Sequence, residues 1–386
     1  MAASLLERVR TRLIAGQGEA TPAHVAAALR EEGVLLGDSA VLELVEVLRR
    51  ELLGAGRLDP LLRLPGITDV LVNAPDSVWI DVGAGLVRSH ITFTGEDEVR
   101  RLAQRLAASA GRRLDEAAPF VDARLANGAR LHAVIPPLSS DGTAISIRIP
   151  RATGFSLQEL RDSGSATPLM AELLADVIDS RLSFVISGGT GAGKTTVLGA
   201  LLSCIGPKER LVIVEDSAEL APHCEHVVRM QARTANVEGA GVITMRDLVR
   251  QSLRMRPDRI CIGEVRGAEV VELLTALNTG HEGGCGTVHA NSATDVPARL
   301  EALALMAGLD RIAVHSLICA GLDCVIHVER EPEGKRVVQG IYSLERGADA
   351  LAEVRAIAVT SDGVTRMGEH VERFMSRLVS RRMDSQ

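Results

Sequence analysis

Apolar positions recur along this chain with two different periods, and the switch between them marks out its parts. In the first 57 residues the spacing is helical, over Leu5 to Leu13, Pro22 to Glu32 and Ser39 to Leu53. The third segment carries Val41, Leu42, Leu44, Val45, Val47 and Leu48 at amphipathic spacing, with Ser39 placed as its N-cap. Gly54-Ala-Gly56 and the stretch from Pro60 to Pro65 break the helical pattern. Residues 58–150 alternate short strands with helix. Asp69 to Asn73, Val78 to Val82, Arg130 to Ile135 and Thr143 to Ile149 are strand-like, and Glu96 to Ala110 is a helix that Gly111 stops. This predicts a compact α/β domain, followed by a linker over 151–157. Residues 158–386 are expected to form a larger α/β domain with strands at 181–186, 210–214, 259–262 and 285–288. Near-continuous apolar runs such as Leu211-Val-Ile-Val214 suit a parallel sheet covered on both faces. Glu329 to Leu344, turning at Glu333-Gly334, reads as a hairpin, and the tail from Gly368 as a helix with arginine-rich ends.

Composition narrows the function classes. The net charge of −7 gives no global field toward nucleic acid or anionic lipid. Aromatic residues make up 2%, with Trp79 and Tyr342 single of their kind, which leaves few platforms for stacking bases. The six cysteines, Cys204, Cys224, Cys261, Cys285, Cys319 and Cys324, form no C-x-x-C pair, and most read as small core residues in a reducing compartment. Cys224-Glu-His226 resembles half a metal site without a second half. The first ten residues carry charges where a signal peptide needs its apolar core, and no run of about eighteen apolar residues appears. Membrane association is therefore expected to go through a partner.

The chemistry begins at Gly188-Gly189-Thr190-Gly191-Ala192-Gly193-Lys194-Thr195-Thr196, which matches the phosphate-loop pattern G-x-x-x-x-G-K-[ST]. Glycines let backbone N–H groups turn inward around phosphate. Lys194 then reaches the β- and γ-phosphates, and the Thr195 hydroxyl sits on Mg²⁺. An apolar strand before the loop and a helix after it supply the required frame, because the helix N-terminus adds its own N–H groups. Three more clusters lie at the ends of apolar strands: Glu215-Asp216 with Glu219, Glu264 with Arg266, and His289 preceded by His281. In open α/β sheets, ligands bind outside the carboxyl ends of the strands. Triphosphate cleavage needs acids for water and Mg²⁺ and donors for the γ-phosphate, and these clusters provide those types.

Taken together, the clusters resemble the type II/type IV secretion ATPases, a family of hexameric motors for pili and secretion. Its Walker A loop, acidic Asp box, atypical Walker B and His box correspond to Gly188–Thr196, Glu215–Glu219, Ile260–Gly267 and Gly280–Asn291. The segments Thr244-Met-Arg-Asp-Leu-Val-Arg250, Ser252-Leu-Arg-Met-Arg-Pro-Asp258, Gly263-Glu-Val-Arg-Gly267 and Gly128-Ala-Arg-Leu-His-Ala-Val-Ile-Pro-Pro137 are similar to the CpaF-like branch, which powers tight-adherence (Flp-type) pilus assembly. The match covers roughly residues 58–345.

The resemblance implies a RecA-like ATPase domain behind a smaller, PAS-like N-terminal α/β domain. It makes Glu264 the catalytic base and His289 the γ-phosphate sensor, supported by His281. It brings Arg130 and Arg148 from the N-terminal domain to the nucleotide, and marks Arg250, Arg254 and Arg256 for subunit contacts. Gly263 stands where most Walker B strands carry Asp, which shifts Mg²⁺ binding toward Thr195 and the Asp-box acids, Glu215 among them. The cofactors implied are ATP and Mg²⁺. The partners are further copies of the chain in a hexamer and inner-membrane platform proteins, at the cytoplasmic face of the membrane and without direct nucleic-acid binding. The tetracysteine zinc module of some relatives is missing, since only Cys319 and Cys324 lie in that region. A conjugation or protein-secretion ATPase, a RecA-like nucleic-acid motor and a non-hydrolysing scaffold are the alternatives.

Overall fold

A computed structural model describes residues 27, 29, 54–83, 85–149, 154–233, 240–332 and 334–384. The three helices expected before residue 54, with the Ser39 cap, lie outside the described residues apart from Ala27 and Leu29, as do linker positions 151–153. The chain divides into two compact units, Met1–Arg151 and Ala152–Gln386.

The first unit is an antiparallel sheet of β1 (Asp69–Ala74), β2 (Ser77–Asp81), β3 (Leu86–Arg88), β4 (Phe120–Arg124), β5 (Arg130–Val134) and β6 (Ala144–Arg148), in the order β3-β2-β1-β6-β5-β4. Helix α1 (Glu96–Ser109) buries Val99, Leu102, Ala103, Leu106 and Ala107, one face at 3–4 residue spacing, in a core shared with Val70, Val72, Leu131 and Ile147. Its first turn holds Glu96, Asp97 and Glu98, which favour the positive end of the helix. Strands β3 and β4 were not expected. β3 is three exposed residues, and β4 alternates buried Val121 and Ala123 with charged neighbours.

Among the described residues the second unit carries nine strands. They are β7 (Phe184–Gly188), β8 (Leu211–Glu215), β9 (Val227–Gln231), β10 (Arg259–Val265), β11 (Cys285–His289), β12 (Cys324–Arg330), β13 (Arg336–Arg346), β14 (Ala352–Ser361) and β15 (Val364–Met367). Their order is β15-β14-β13-β12-β7-β11-β10-β8-β9. The stretch from β12 to β9 is parallel throughout. Alternate side chains face opposite layers. Phe184, Ile186, Ile213, Cys261, Cys285 and Cys324 pack under α2 (Pro168–Asp179) and α3 (Lys194–Leu202). Val185, Val214, Ile262, Val288 and Val325 pack under α4 (Met245–Ser252), α5 (Glu269–Leu277), α6 (Val296–Met306) and α7 (Arg311–Gly321). Burial on both faces is why these strands read as unbroken apolar runs.

The expected hairpin exists with longer arms, β12 and β13, and β12 also extends the parallel sheet beside β7. The terminal helix α8 (Val371–Asp384) packs Phe374 and Leu378 on the α2–α3 side. The strand expected at 181–186 begins only at Phe184, because Arg181 turns with φ 52°.

Candidate functional site

Because β7, β11, β10 and β8 are neighbours and parallel, their carboxyl ends open on one edge. Gly188, His289, Glu264 and Glu215 all lie at that edge, and Gly188 and His289 are register partners. The phosphate loop leaves β7 at Gly188. Its φ is +155°, and a Cβ there would sit 2.2 Å from the Val328 carbonyl oxygen, so only glycine fits. Helix α3 starts at Lys194 with no side chain capping its N-terminus, which leaves its first N–H groups pointing into the loop. Arg336 Nε holds the crest by donating to Gly191 O at 2.9 Å.

Lys194 is buried and folded into its own loop, donating to Gly188 O at 2.9 Å and Gly189 O at 2.8 Å. Burial lowers its pKa, while the charge of Glu264 opposes that. Lys194 Nζ also lies 3.3 Å from His289 Nδ1. Burial, and then Lys194, lower the pKa of His289, while the charge of Glu264 opposes them. Nδ1 facing an ammonium must accept, which leaves the proton on Nε2. That Nε2 is 2.6 Å from Glu264 Oε1, close but out of line, and Oε1 takes no hydrogen bond.

Glu264 owes its position to a break in the ladder. The β10–β11 register shifts between Ile262 and Val265, so Gly263 and Glu264 leave the regular pairing. Thr287 Oγ1 satisfies the Gly263 carbonyl at 2.7 Å. Glu269 Oε1 pins the next turn by accepting from Arg266 N at 2.7 Å and Gly267 N at 2.8 Å. Arg266 ties Glu264 Oε2 to Asp216 Oδ2.

Glu215 is 3% exposed, and its Oε1 accepts from Glu219 N at 2.9 Å and Leu220 N at 3.0 Å. Desolvation raises its pKa to about 7, with those hydrogen bonds working against the rise. Between pH 4.5 and 7 the folded state therefore keeps a proton the unfolded chain has lost, and stability falls as pH rises through that window. Over the whole window the effect is on the order of 3 kcal/mol. Glu215→Gln is expected to raise the melting temperature at about pH 8 and leave it nearly unchanged at about pH 4.5. Equal shifts at both pH values would contradict a buried ionising Glu215.

The other sequence-derived residues separate into those near this edge and those elsewhere. Thr195 and Thr196 are half-buried in the first turn of α3, and Thr190 is exposed at the loop crest. Asp216 and Glu219 are just past β8. His281 does not join them. It lies in the loop before β11, at the amino end of the strands, with Nδ1 3.3 Å from Ala276 O. Its separation from His289 is the length of a strand. Arg130 and Arg148 are register partners on β5 and β6 in the first unit, where Arg130 forms a two-pronged ion pair with Asp122 at 2.7 and 3.1 Å. Arg250 pairs with Glu272 at 2.8 Å within the second unit.

Two contributors escaped sequence reasoning. Glu269 is an acid in the first turn of α5, and its role in the turn after Glu264 shows only in the folded chain. His327 is a lone polar residue in the apolar β12 run, and its Nδ1 meets Ser187 Oγ at 2.8 Å just before the loop. Among the described residues no three His, Cys, Asp or Glu side chains converge on a metal. A cation carried in by phosphates needs only one or two protein oxygens, and the Thr195 hydroxyl and the Glu215 and Asp216 carboxylates are hard donors of that kind.

A family described as Type II/IV secretion system protein matches residues 51–360. A putative conjugal transfer protein of Mycobacterium tuberculosis is 55% identical over 332 residues, 84% of this chain and 93% of the relative. The type IV secretion system protein PtlH of Bordetella pertussis is 30% identical over 300 residues, 71% of this chain and 88% of that protein. Among solved structures, the pilus retraction motor PilT with bound ADP aligns with a TM-score of 0.52 at 19% identity, over 83% of this chain and 84% of that one. At that identity the likeness is one of fold, and the fold is the RecA-like α/β class expected from the sequence.

Proposed function

The chain belongs to the type II/IV secretion system protein family, and on that footing we propose that it hydrolyses ATP to drive a pilus or secretion machine. The observation that carries this is the run Lys194–His289–Glu264 along the edge where the phosphate loop opens. Lys194 exchanges the Gly188 and Gly189 carbonyls for the β- and γ-phosphates. The uncapped N–H groups of α3 receive phosphate oxygens. Mg²⁺, held by Thr195 and the Asp-box carboxylates, would neutralise charge developing on the phosphates. Glu264 draws the proton from the attacking water, and the Nε2–H of His289 reports the γ-phosphate. Arg130 and Arg148 of the first unit supply positive charge from outside the loop.

The work is done by a hexamer at the cytoplasmic face of the cell membrane, acting on an inner-membrane platform protein to add pilin subunits in a tight-adherence pilus. The segments at 244–250, 252–258 and 263–267 support that branch. A second reading, a conjugation or type IV secretion motor, is supported by the names of the Mycobacterium and Bordetella relatives. Pull-down from native membranes, with and without ATP, separates the two by whether pilus platform or transfer-channel proteins are recovered.

Lys194→Ala tests the core of the proposal. It removes the side chain that meets the phosphates, and phosphate release is expected to drop to background with ATP affinity reduced at least about tenfold. A Lys194→Ala protein that hydrolyses ATP at the unaltered rate overturns the reading.

A further inference from the structure

Asp216 and Glu264 are held by a cation of the chain itself. Arg266 reaches Asp216 Oδ2 with Nη1 at 3.1 Å and Glu264 Oε2 with Nη2. The Arg266 side chain is 56% exposed and that of Glu264 is 16%, so the guanidinium lies on the solvent side of the acid. Its backbone is anchored separately, through Glu269 Oε1 to Arg266 N at 2.7 Å, so side-chain movement leaves the turn in place. Lys194, a second cation at this edge, is turned toward the loop carbonyls and His289. Among the described residues the charged and titratable groups around this cluster include Lys194 from α3, His289 from β11, Arg299 from α6, Arg266 from the turn itself, and Glu215, Asp216 and Glu219 at the end of β8.

One guanidinium bridging two carboxylates offsets part of their negative charge. A divalent cation delivered with a nucleotide would bring charge to one of these carboxylates, Asp216. We propose that Arg266 is a resident counter-cation that holds Asp216 and Glu264 together and competes with the nucleotide's divalent cation for Asp216. This rests on the nucleotide-binding reading above. Arg266 is a positioning residue in this scheme. It fixes Glu264 before nucleotide arrives and gives way when the cation binds.

The competition predicts an unusual sign, in which loss of a positive charge tightens binding of an anionic ligand. Breaking two exposed charge-assisted contacts corresponds to an affinity change of about threefold to tenfold. The experiment is equilibrium binding of labelled ADP to the full chain, once with excess Mg²⁺ and once with EDTA. Arg266→Gln is expected to bind Mg·ADP about threefold to tenfold more tightly, with ADP in EDTA within about twofold of the unaltered protein. Arg266→Lys, which keeps the charge, is expected to stay near the unaltered affinity. A merely structural role would weaken both forms. Equal tightening in both buffers would mean that Arg266 is a steric cover, and no tightening would mean it does not compete; either result overturns the proposal. If the unaltered chain binds neither form, the nucleotide reading itself falls and the counter-cation falls with it. Normal binding by the unaltered chain without tightening in Arg266→Gln defeats the counter-cation alone.

Discussion

Glu264→Gln is expected to slow phosphate release by about a hundredfold to ten-thousandfold while leaving ATP bound, because the change removes a proton acceptor and little else. Gln has the shape of Glu and still offers an oxygen beside His289 Nε2, 2.6 Å away in the unaltered chain. The bulge at Gly263, the Thr287 bond to the Gly263 carbonyl and the Glu269 bonds to the next turn involve no Glu264 side-chain atom. Arg266 keeps Asp216 as a partner. Lys194, the α3 N-terminus and Thr195 are untouched, so the groups proposed to meet phosphate remain. Single-turnover phosphate release and equilibrium ATP binding, measured on the same preparation, separate the two effects. Normal phosphate release from Glu264→Gln would remove Glu264 as the base. Lost ATP binding with slowed release would make its role one of holding the site together. The contrast with Lys194→Ala, which is expected to lose both, separates chemistry from binding within one edge of one sheet.

The strand, loop and helix around Gly188 were legible because each signal is local: an apolar run, a glycine pattern and a second apolar run of different period. The convergence of Glu215, Glu264 and His289 was legible because parallel strands covered on both faces place their carboxyl ends together. His281 shows where that reasoning stops. It is near His289 in sequence, yet β11 runs between them and puts them at opposite ends of the sheet. Arg266 and Glu269 were in view as letters, but their roles come from a bulge and a turn that periodicity does not encode. β14 and β15 were missed because Ala352 and Ala356 give weak contrast with Glu353 and Arg355, and β14 gains its place by pairing with β13 and β15. The Asp122–Arg130 pair shows the complementary limit. A charged residue on a strand surface announces neither a nucleotide nor an ion pair, and only the folded sheet brings Arg130 an acid from β4.

Gly263→Asp, which restores the residue usual before a Walker B glutamate, is expected to destabilise this chain by roughly 2–4 kcal/mol. The reason lies on the neighbouring strand. A Cβ on residue 263 would stand 2.6 Å from Glu215 Cγ and 3.2 Å from Glu215 Oε1. Glu215 cannot retreat cheaply, since its Oε1 is fixed by Glu219 N and Leu220 N and the residue is 3% exposed. An added aspartate would also place a second carboxylate against one whose pKa burial already raises to about 7. Glycine at 263 therefore leaves the space that the Glu215 side chain occupies, and the carboxylate of Glu215 on β8 lies against the place a side chain on residue 263 would take. Two residues in such contact should couple strongly. Glu215→Ala vacates the space, so Gly263→Asp is expected to cost at least about 1 kcal/mol less in that background than alone. Denaturant unfolding of the two single variants and the double variant measures this directly. Additive losses, or a Gly263→Asp protein as stable as the unaltered chain, would show that Glu215 does not fill the place of the missing aspartate. Coupling would instead identify the Glu215 side chain on β8 as the reason residue 263 is glycine in this chain.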